Sequence, residues 1–279
     1  MRVDVKKTYK LYIGGAFPRS ESGRVYEVLD ANGNFLANPC QASRKDLRDA
    51  IVSARTAVNG WSSATAYNRG QILYRVAEVM EGRIFQFAEE IVALEGINFK
   101  NAKSQVERAI DTWVWYAGWC DKIASISGAT NSVSGPYYNF TIPEHLGVVG
   151  VFADQKNSLL GLVSGLAPVL AGGNTAVVIA SEKYPLPAIT LSEALATSDV
   201  PSGVVNILTG KAVELAPWLG GHMDVDGIDV SGLSKKLEED TRLSGAENLK
   251  RIYRFNEDQS ILRIQAFMES KTVWHPIGI

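Results

Sequence analysis

The sequence has 279 residues, of which 46% are hydrophobic and 21% are charged, and its formal net charge is −2. This length suffices for one large domain or two modest ones with a full buried core. The balanced charge argues against a nucleic-acid partner, and the lack of a long apolar run argues against a membrane-spanning protein. Residues 1–7 lack the apolar stretch of a signal peptide, so we expect a cytoplasmic protein.

The cysteines and histidines predict neither disulfides nor a metal site. Cys40 and Cys120 have no CxxC spacing, which is typical of a reducing compartment. The three histidines (His145, His222 and His275) are scattered along the chain, so metal ligation is not expected.

The first half of the chain has a helical pattern after two short strand-like stretches at 11–13 and 25–28. Ser43 followed by Asp46 indicates a capping box at the start of a helix. Apolar residues then recur at helical spacing in four blocks, around 47–58, 72–80, 84–92 and 106–117. The alternating segment 137–142 predicts a further strand.

From Gly147 onward the pattern changes to buried strands separated by helices. The apolar strands are predicted at 147–152, 176–180, 204–208 and 227–230, with helices at 159–171, 187–196 and 213–219. This alternation predicts βαβ units and a parallel sheet, which binds ligands at the carboxyl ends of its strands. The GxGxxG fingerprint is absent, so the pattern does not name the ligand.

Several motifs of this half resemble the aldehyde dehydrogenase family. They are Gly-Gly-Asn-Thr-Ala-Val-Val at 172–178, Pro-Leu at 185–186, and Val-Pro-Ser-Gly-Val-Val-Asn-Ile-Leu-Thr-Gly at 200–210. The resemblance extends from about residue 10 to residue 254. It implies an α/β fold, with a Rossmann-like parallel sheet, helices on both faces, an N-terminal helical layer and a small oligomerisation β-sheet.

The positions where the family carries out its chemistry depart from its pattern. The resemblance puts Lys156 where the family has an asparagine that donates to the oxyanion. Ile179 replaces the lysine of the family's ribose clamp, whereas Glu182 retains its glutamate. Phe255 falls where the family has its general-base glutamate, and Asn256 and Glu257 lie beside it.

The resemblance leaves four candidate cofactor-binding residues: Glu182, Gly210, Ser231 and Gly232. Gly232 retains the family's close backbone approach, and the following helix N-terminus suits an anion. Leu233 replaces the hydroxyl residue that follows. We expect no bound cofactor, with weakened NAD or NADP binding as the alternative.

The family's catalytic domain and its cysteine have no counterpart here. Cys120 has no histidine near it in the sequence, and Asp121 would raise its thiol pKa, so it is interpreted as a small packing residue. Cys40 is interpreted in the same way. Residues 264–274 resemble instead the end of the family chain, which pairs with the hairpin matched by 132–142. The implied organisation is an N-terminal layer at 1–124, an oligomerisation hairpin at 125–146, Rossmann-like units at 147–258 and an oligomerisation strand at 259–279.

Three functions are compatible with this pattern. The first is a non-catalytic structural or regulatory subunit that forms homo-oligomers, or hetero-oligomers with a full-length aldehyde dehydrogenase. In this function the chain resembles the cysteine-less second module of two-module aldehyde dehydrogenases. The second is a nucleotide-binding regulatory module. The third is an NAD(P)-dependent aldehyde oxidoreductase that acts alone or with a complete partner; no residue of this chain is assigned a catalytic role.

Overall fold

The computed structural model describes residue 3 and residues 5–256 and 259–278. Its helices are α1 (Arg44–Ser63), α2 (Ala66–Glu81), α3 (Ile84–Glu95), α4 (Phe99–Trp119), α5 (Ile123–Ser127), α6 (Leu160–Ala171), α7 (Leu186–Ala196), α8 (Ala212–Gly221), α9 (Lys235–Ala246) and α10 (Leu262–Gln265). Its strands are β1 (Val28–Leu29), β2 (Phe35–Ala37), β3 (Ala129–Asn131), β4 (Tyr137–His145), β5 (Val148–Phe152), β6 (Thr175–Ile179), β7 (Val205–Leu208), β8 (Gly227–Asp229), β9 (Arg251–Tyr253) and β10 (Met268–Pro276). None of the helices formed by the described residues has the length and apolar character needed to cross a membrane.

A five-stranded parallel sheet forms the centre of the molecule, which confirms the predicted Rossmann-like architecture. The strand order is β7-β6-β5-β8-β9, and every neighbouring pair is parallel. Strands β5 and β6 are buried at every residue. This explains why their sequences are continuous apolar runs rather than alternating ones.

The two faces of this sheet pack against different helices. Val149, Val151 and Val178 belong to a core shared with α6, α7 and the layer formed by α2, α3 and α4. Their neighbours Val148 and Val177 belong to a second core, shared with α1 and α8. Because successive side chains of a strand point to opposite faces, a wholly apolar strand needs a helical layer on each side.

Local sequence signals set the limits of the N-terminal helices. The Ser43 hydroxyl accepts from the backbone of Lys45 and Asp46, and the Asp46 carboxylate accepts from Ser43 N–H, so the predicted capping box is confirmed. Helix α3 ends at Gly96, whose φ of 69° is left-handed and suits glycine. Trp61 of α1 is buried and donates to the Leu170 carbonyl at 3.1 Å, which joins α1 to α6.

A separate three-stranded sheet has the order β10-β4-β3, and β10 pairs with β4 over nine residues. The three strands lie within the predicted ranges 125–146 and 259–279, but not at the positions that the motif match gave. The hairpin begins at Ala129 rather than at residue 132. The returning strand begins at Met268, because Ile264 and Gln265 lie in α10, where a helical turn buries Arg263 and Ile264.

The buried side chain of Asn174 joins the two sheets. Its Oδ1 accepts from Leu146 N–H and Gly147 N–H, both at 2.8 Å, and its Nδ2 donates to the Phe267 carbonyl at 2.9 Å. One amide therefore holds the entry to β5 against the entry to β10. Between β9 and α10 the chain has only residues 254–261, of which Glu257 and Asp258 lie outside the described part.

Candidate functional site

Strands β5, β6 and β8 end at the same edge of the sheet, where a parallel sheet binds its ligands. A pocket of about 740 Å³ lies beside the loops that follow β5 and β6. Gln155, Glu182 and Tyr184 contribute to it from these loops, together with Tyr26 and Glu95 from the N-terminal half. Of the four predicted cofactor-binding residues, the pocket includes Glu182 only.

Gln155 bridges the two loops of this pocket. Its Oε1 accepts from Glu182 N–H at 2.9 Å and from the Ser181 hydroxyl at 3.3 Å, and its Nε2 donates to the Ala153 carbonyl at 3.0 Å. The Glu182 backbone is thereby fixed while its side chain is exposed. The sequence prediction missed Gln155, although an amide directly after a buried strand is a recognisable signal for a loop-closing contact.

Lys156 is exposed on the β5 loop. The loop is fixed by the residue two positions later, since the Ser158 hydroxyl and Ser158 N–H both donate to Glu95 Oε1, at 2.6 and 3.0 Å. Gln105 donates to the other Glu95 oxygen at 3.0 Å. The polar groups of this loop are therefore engaged with the helical layer.

Tyr26 lies on the opposite wall of the pocket. Its hydroxyl is buried and has no hydrogen-bond partner among the described residues. Burial raises the pKa of this phenol above its ordinary value of 10.0, and the negative charge of Glu182 raises it further. Tyr26 therefore stays a neutral donor beside the carboxylate at any physiological pH.

Ser231 and Gly232, two of the predicted cofactor-binding residues, contact other parts of the protein. The Ser231 hydroxyl donates to Asp229 and accepts from Phe255 N–H at 2.9 Å. A Cβ built on Gly232 would lie 2.1 Å from the carbonyl oxygen of Ala153. The close approach that requires glycine is therefore an approach to the end of β5.

A buried ion pair joins the end of β8 to α10. Asp229 at the end of β8 and Arg263 of α10 are 3.3 Å apart, with side chains 2% and 6% exposed. Burial raises the pKa of Asp229, and the Arg263 charge opposes that shift. Arg263 also donates to the Ser164 carbonyl at 2.9 Å, and its guanidinium lies 4.5 Å from the centre of the Phe255 ring.

Phe255, which occupies the predicted general-base position, is thus a packing residue. It covers the Arg263 guanidinium and contacts the ring of Phe267. The neighbouring Glu257 lies outside the described residues. The sequence prediction missed the ion pair, although a single aspartate at the end of an apolar strand signals a buried partner.

The N-terminus of α9 is already stabilised by a capping side chain and by an acidic residue in its first turn. The Ser234 hydroxyl accepts from Leu237 N–H, and Glu238 lies in the first turn. Arg254 donates to the Ser231 and Leu233 carbonyls and pairs with Glu238. The negative charge of Glu238 therefore takes the position where an anion would profit from the helix N-terminus.

Gly210 and the two cysteines lie elsewhere. Gly210 has a φ of 149°, and a Cβ there would lie 3.1 Å from the Ala42 nitrogen, so this glycine allows the β7 loop to contact the segment before α1. Cys40 and Cys120 are buried, free thiols. Burial is the main cause that raises the pKa of the Cys120 thiol to about 12, which removes its nucleophilic thiolate at neutral pH.

The sheet, its helical layers and this carboxyl edge define a class of α/β protein built like a nicotinamide-cofactor-binding domain. The family model described as aldehyde dehydrogenase family matches residues 17–253, and the chain belongs to that family. The match ends at β9, so α10 and β10 lie beyond it.

Relatives and solved structures agree with this assignment. The putative aldehyde dehydrogenase DhaS of Bacillus subtilis (strain 168) is 32% identical over 250 residues, covering 88% of this chain and 50% of that protein. The cytosolic 10-formyltetrahydrofolate dehydrogenase of Mus musculus is 30% identical over 261 residues, or 90% of this chain and 28% of that protein. An NAD+ complex of an aldehyde dehydrogenase from Bacillus cereus superposes with a TM-score of 0.83 at 25% identity, covering 88% of this chain and 50% of that one. The chain thus spans about half or less of the length of these relatives.

Proposed function

We propose that this chain is a non-catalytic aldehyde dehydrogenase-like subunit that assembles through the outer edge of β10. The observation that carries the proposal is the nine-residue pairing of β10 with β4, which leaves β10 at the edge of its sheet. An exposed edge strand presents unpaired backbone groups that suit pairing with another strand.

The register identifies which backbone groups face outward. Leu146 N–H donates to the Phe267 carbonyl, and Ile277 N–H donates to the Pro136 carbonyl. Both contacts belong to the same antiparallel register, so the odd-numbered residues of β10 bond to β4. The even-numbered Ser270, Thr272 and Trp274 therefore direct their N–H and carbonyl groups away from β4. Their side chains belong to exposed residues.

The other sheet offers a poorer edge for assembly. Strand β9 has three residues, and its outward-facing Ile252 carbonyl already accepts from the Arg242 guanidinium at 3.0 Å. Short, covered edges resist strand addition. The contrast favours β10 as the strand that meets a partner.

The chemistry of the described residues supports a non-catalytic role. Both thiols are buried away from the pocket, and Phe255 occupies the predicted position of the general base. A nucleophile needs an adjacent base and an accessible position. Cys40 and Cys120 are both buried and therefore lack the accessible position.

Sedimentation velocity of the purified chain over a range of concentrations tests the assembly. The critical variant is Thr272→Pro, because proline at an outward-facing position removes an edge N–H while sparing the ladder to β4. Thr272→Ala is the matched control, which removes the side chain but keeps the N–H. We expect an oligomer for the wild type and Thr272→Ala and a monomer for Thr272→Pro. A wild type that is monomeric throughout and does not co-sediment with a full-length aldehyde dehydrogenase would overturn the proposal.

A second candidate function is a nucleotide-binding regulatory module, which the exposed Glu182 beside the 740 Å³ pocket favours. The remaining candidates fit a dinucleotide poorly, since the Ser231 hydroxyl and the backbone beside Gly232 are engaged within the protein. Calorimetric titration of NAD and NADP separates the two functions. A Kd near micromolar that rises in Glu182→Gln supports the nucleotide-binding module. No detectable heat of binding at roughly 1 mM cofactor excludes the module and supports the non-catalytic subunit.

A further inference from the structure

A second pocket, of about 780 Å³, lies between the start of α1 and the end of α8. It includes none of the four predicted cofactor-binding residues. Its volume falls within the range of small-ligand sites, roughly 300–1,000 Å³. The α1 wall is basic, with Arg44, Lys45 and Arg48, and the α8 wall is largely apolar, with Pro217, Trp218 and Met223.

The pocket combines an exposed indole ring with basic side chains. Trp218 is 45% exposed and Met223 is 75% exposed, so apolar surface faces solvent on the α8 wall. Two of the three basic lining residues have a carboxylate partner: Lys45 has Glu21, and Arg48 has Asp49 at 2.9 Å. Among the described residues, Arg44 is the lining cation without an ion-pair partner. Glu21 is engaged, since it accepts from the Ser43 hydroxyl at 2.9 Å and lies 3.6 Å from Lys45 Nζ.

Arg44 joins the two walls. Its guanidinium carbon lies 3.6 Å from the centre of the Trp218 ring, a cation–π contact that holds the charge directly over the indole. The start of α1 contributes no free N–H to this arrangement from Lys45 or Asp46, because the Ser43 hydroxyl accepts from both. The attraction for an anion therefore comes from side chains.

We propose that this pocket binds a small molecule in which a planar ring carries an anionic group. The ring lies against Trp218 and Met223, and the anion lies against Arg44 and Arg48. Stacking on an exposed aromatic ring and charge-assisted hydrogen bonds to guanidinium groups are the two interactions that this geometry provides. A nucleoside monophosphate and an aromatic carboxylate share this chemistry.

The test uses ¹⁹F NMR of the full chain labelled with 5-fluorotryptophan, in which Trp218→Phe assigns the resonance of Trp218 among the six tryptophans. AMP and 2-naphthoate are the two probes, and adenosine and inorganic phosphate supply the ring and the charge separately. We expect a saturable shift of the Trp218 resonance with at least one probe and none with adenosine or phosphate at the same concentration. Saturation by AMP alone identifies the nucleotide source, and saturation by 2-naphthoate alone identifies the carboxylate source.

Arg44→Ala and Arg48→Ala retain the reporter and are expected to weaken binding of that probe roughly tenfold each. Arg75→Ala is the matched control, because Arg75 is an exposed arginine of α2 that pairs with Glu78. No saturable Trp218 shift with either probe up to roughly 1 mM, or equal binding of adenosine, overturns the proposal. An unchanged affinity in both Arg44→Ala and Arg48→Ala overturns it as well.

Discussion

Arg263 and Asp229 form an ion pair whose side chains are almost fully buried, at a distance of 3.3 Å. Asp229 ends a strand of the central sheet, whereas Arg263 lies after residue 253, where the match to the family ends. The short α10 thus supplies the partner of a carboxylate at the edge of the sheet. Phe255 covers the pair, so the segment after β9 closes this part of the molecule.

Removing the cation should be costly. Arg263→Met leaves Asp229 buried without its partner, and breaking a buried pair in this way costs about 3–5 kcal/mol. Urea unfolding measures the loss. Arg75→Ala, which removes an exposed arginine paired with Glu78, is the control and should cost at most about 1 kcal/mol.

The loss in Arg263→Met should also depend on pH. Burial already holds the pKa of Asp229 above its ordinary value of 3.8, and removal of Arg263 raises this pKa further. Between 3.8 and the raised value the folded state binds more protons than the unfolded state, so stability falls as pH rises. The loss relative to wild type should therefore be smaller at about pH 5 than at about pH 8. A loss that grows on acidification would contradict the assignment.

Ser231→Ala distinguishes a structural hydroxyl from a cofactor contact. The hydroxyl bonds to Asp229 and to Phe255 N–H, so its removal should cost about 1–2 kcal/mol of unfolding free energy. Any affinity for NAD should stay unchanged. A drop in NAD affinity with unchanged stability would restore Ser231 as a cofactor-binding residue.

Asn174→Ala should be among the more damaging single substitutions. It leaves the buried Gly147 N–H without its partner and removes one of the two hydrogen bonds made by Leu146 N–H and by the Phe267 carbonyl, a loss of about 2 kcal/mol. Thermal unfolding followed by circular dichroism measures it. Asn34→Ala, which removes an exposed amide bonded to Asp30, is the control and should cost less than about 0.5 kcal/mol.

The sequence predicted the fold well where a local pattern has a single structural explanation. Apolar strands such as β5 and β6 are buried on both faces, and Ser43 with Asp46 forms the predicted cap. The site was harder to predict, because a sequence motif does not specify which groups its residues contact in the folded protein. Gly232 retains the family motif, yet its close approach is to the end of β5.

The boundary of the last strand shows a second limit of sequence reasoning. Residues 264–274 resemble the end of the family chain, but the part before Met268 contains a helical turn, whose Arg263 pairs with Asp229. That contact joins residues 34 positions apart, so the local pattern signals that Asp229 needs a buried partner but does not identify Arg263 as that partner. The same holds for Gln155, whose partners lie in the loop after the next strand.

The thiols provide a check on the absence of a cysteine nucleophile. Both are buried, and the raised pKa of about 12 for Cys120 keeps it protonated at neutral pH. We expect iodoacetamide to label neither cysteine in the folded protein and both in urea. Rapid labelling of Cys120 in the native state would contradict its burial.

Aldehyde-dependent reduction of NAD and NADP tests the central claim most directly. It is followed by absorbance with an aldehyde panel, using the purified chain and the double variant Cys40→Ala/Cys120→Ala. Neither protein is expected to form reduced cofactor above the rate without protein, because no accessible thiolate faces the pocket among the described residues. Reduced cofactor formed by the wild type and abolished in the double variant would show a working cysteine and contradict the non-catalytic account.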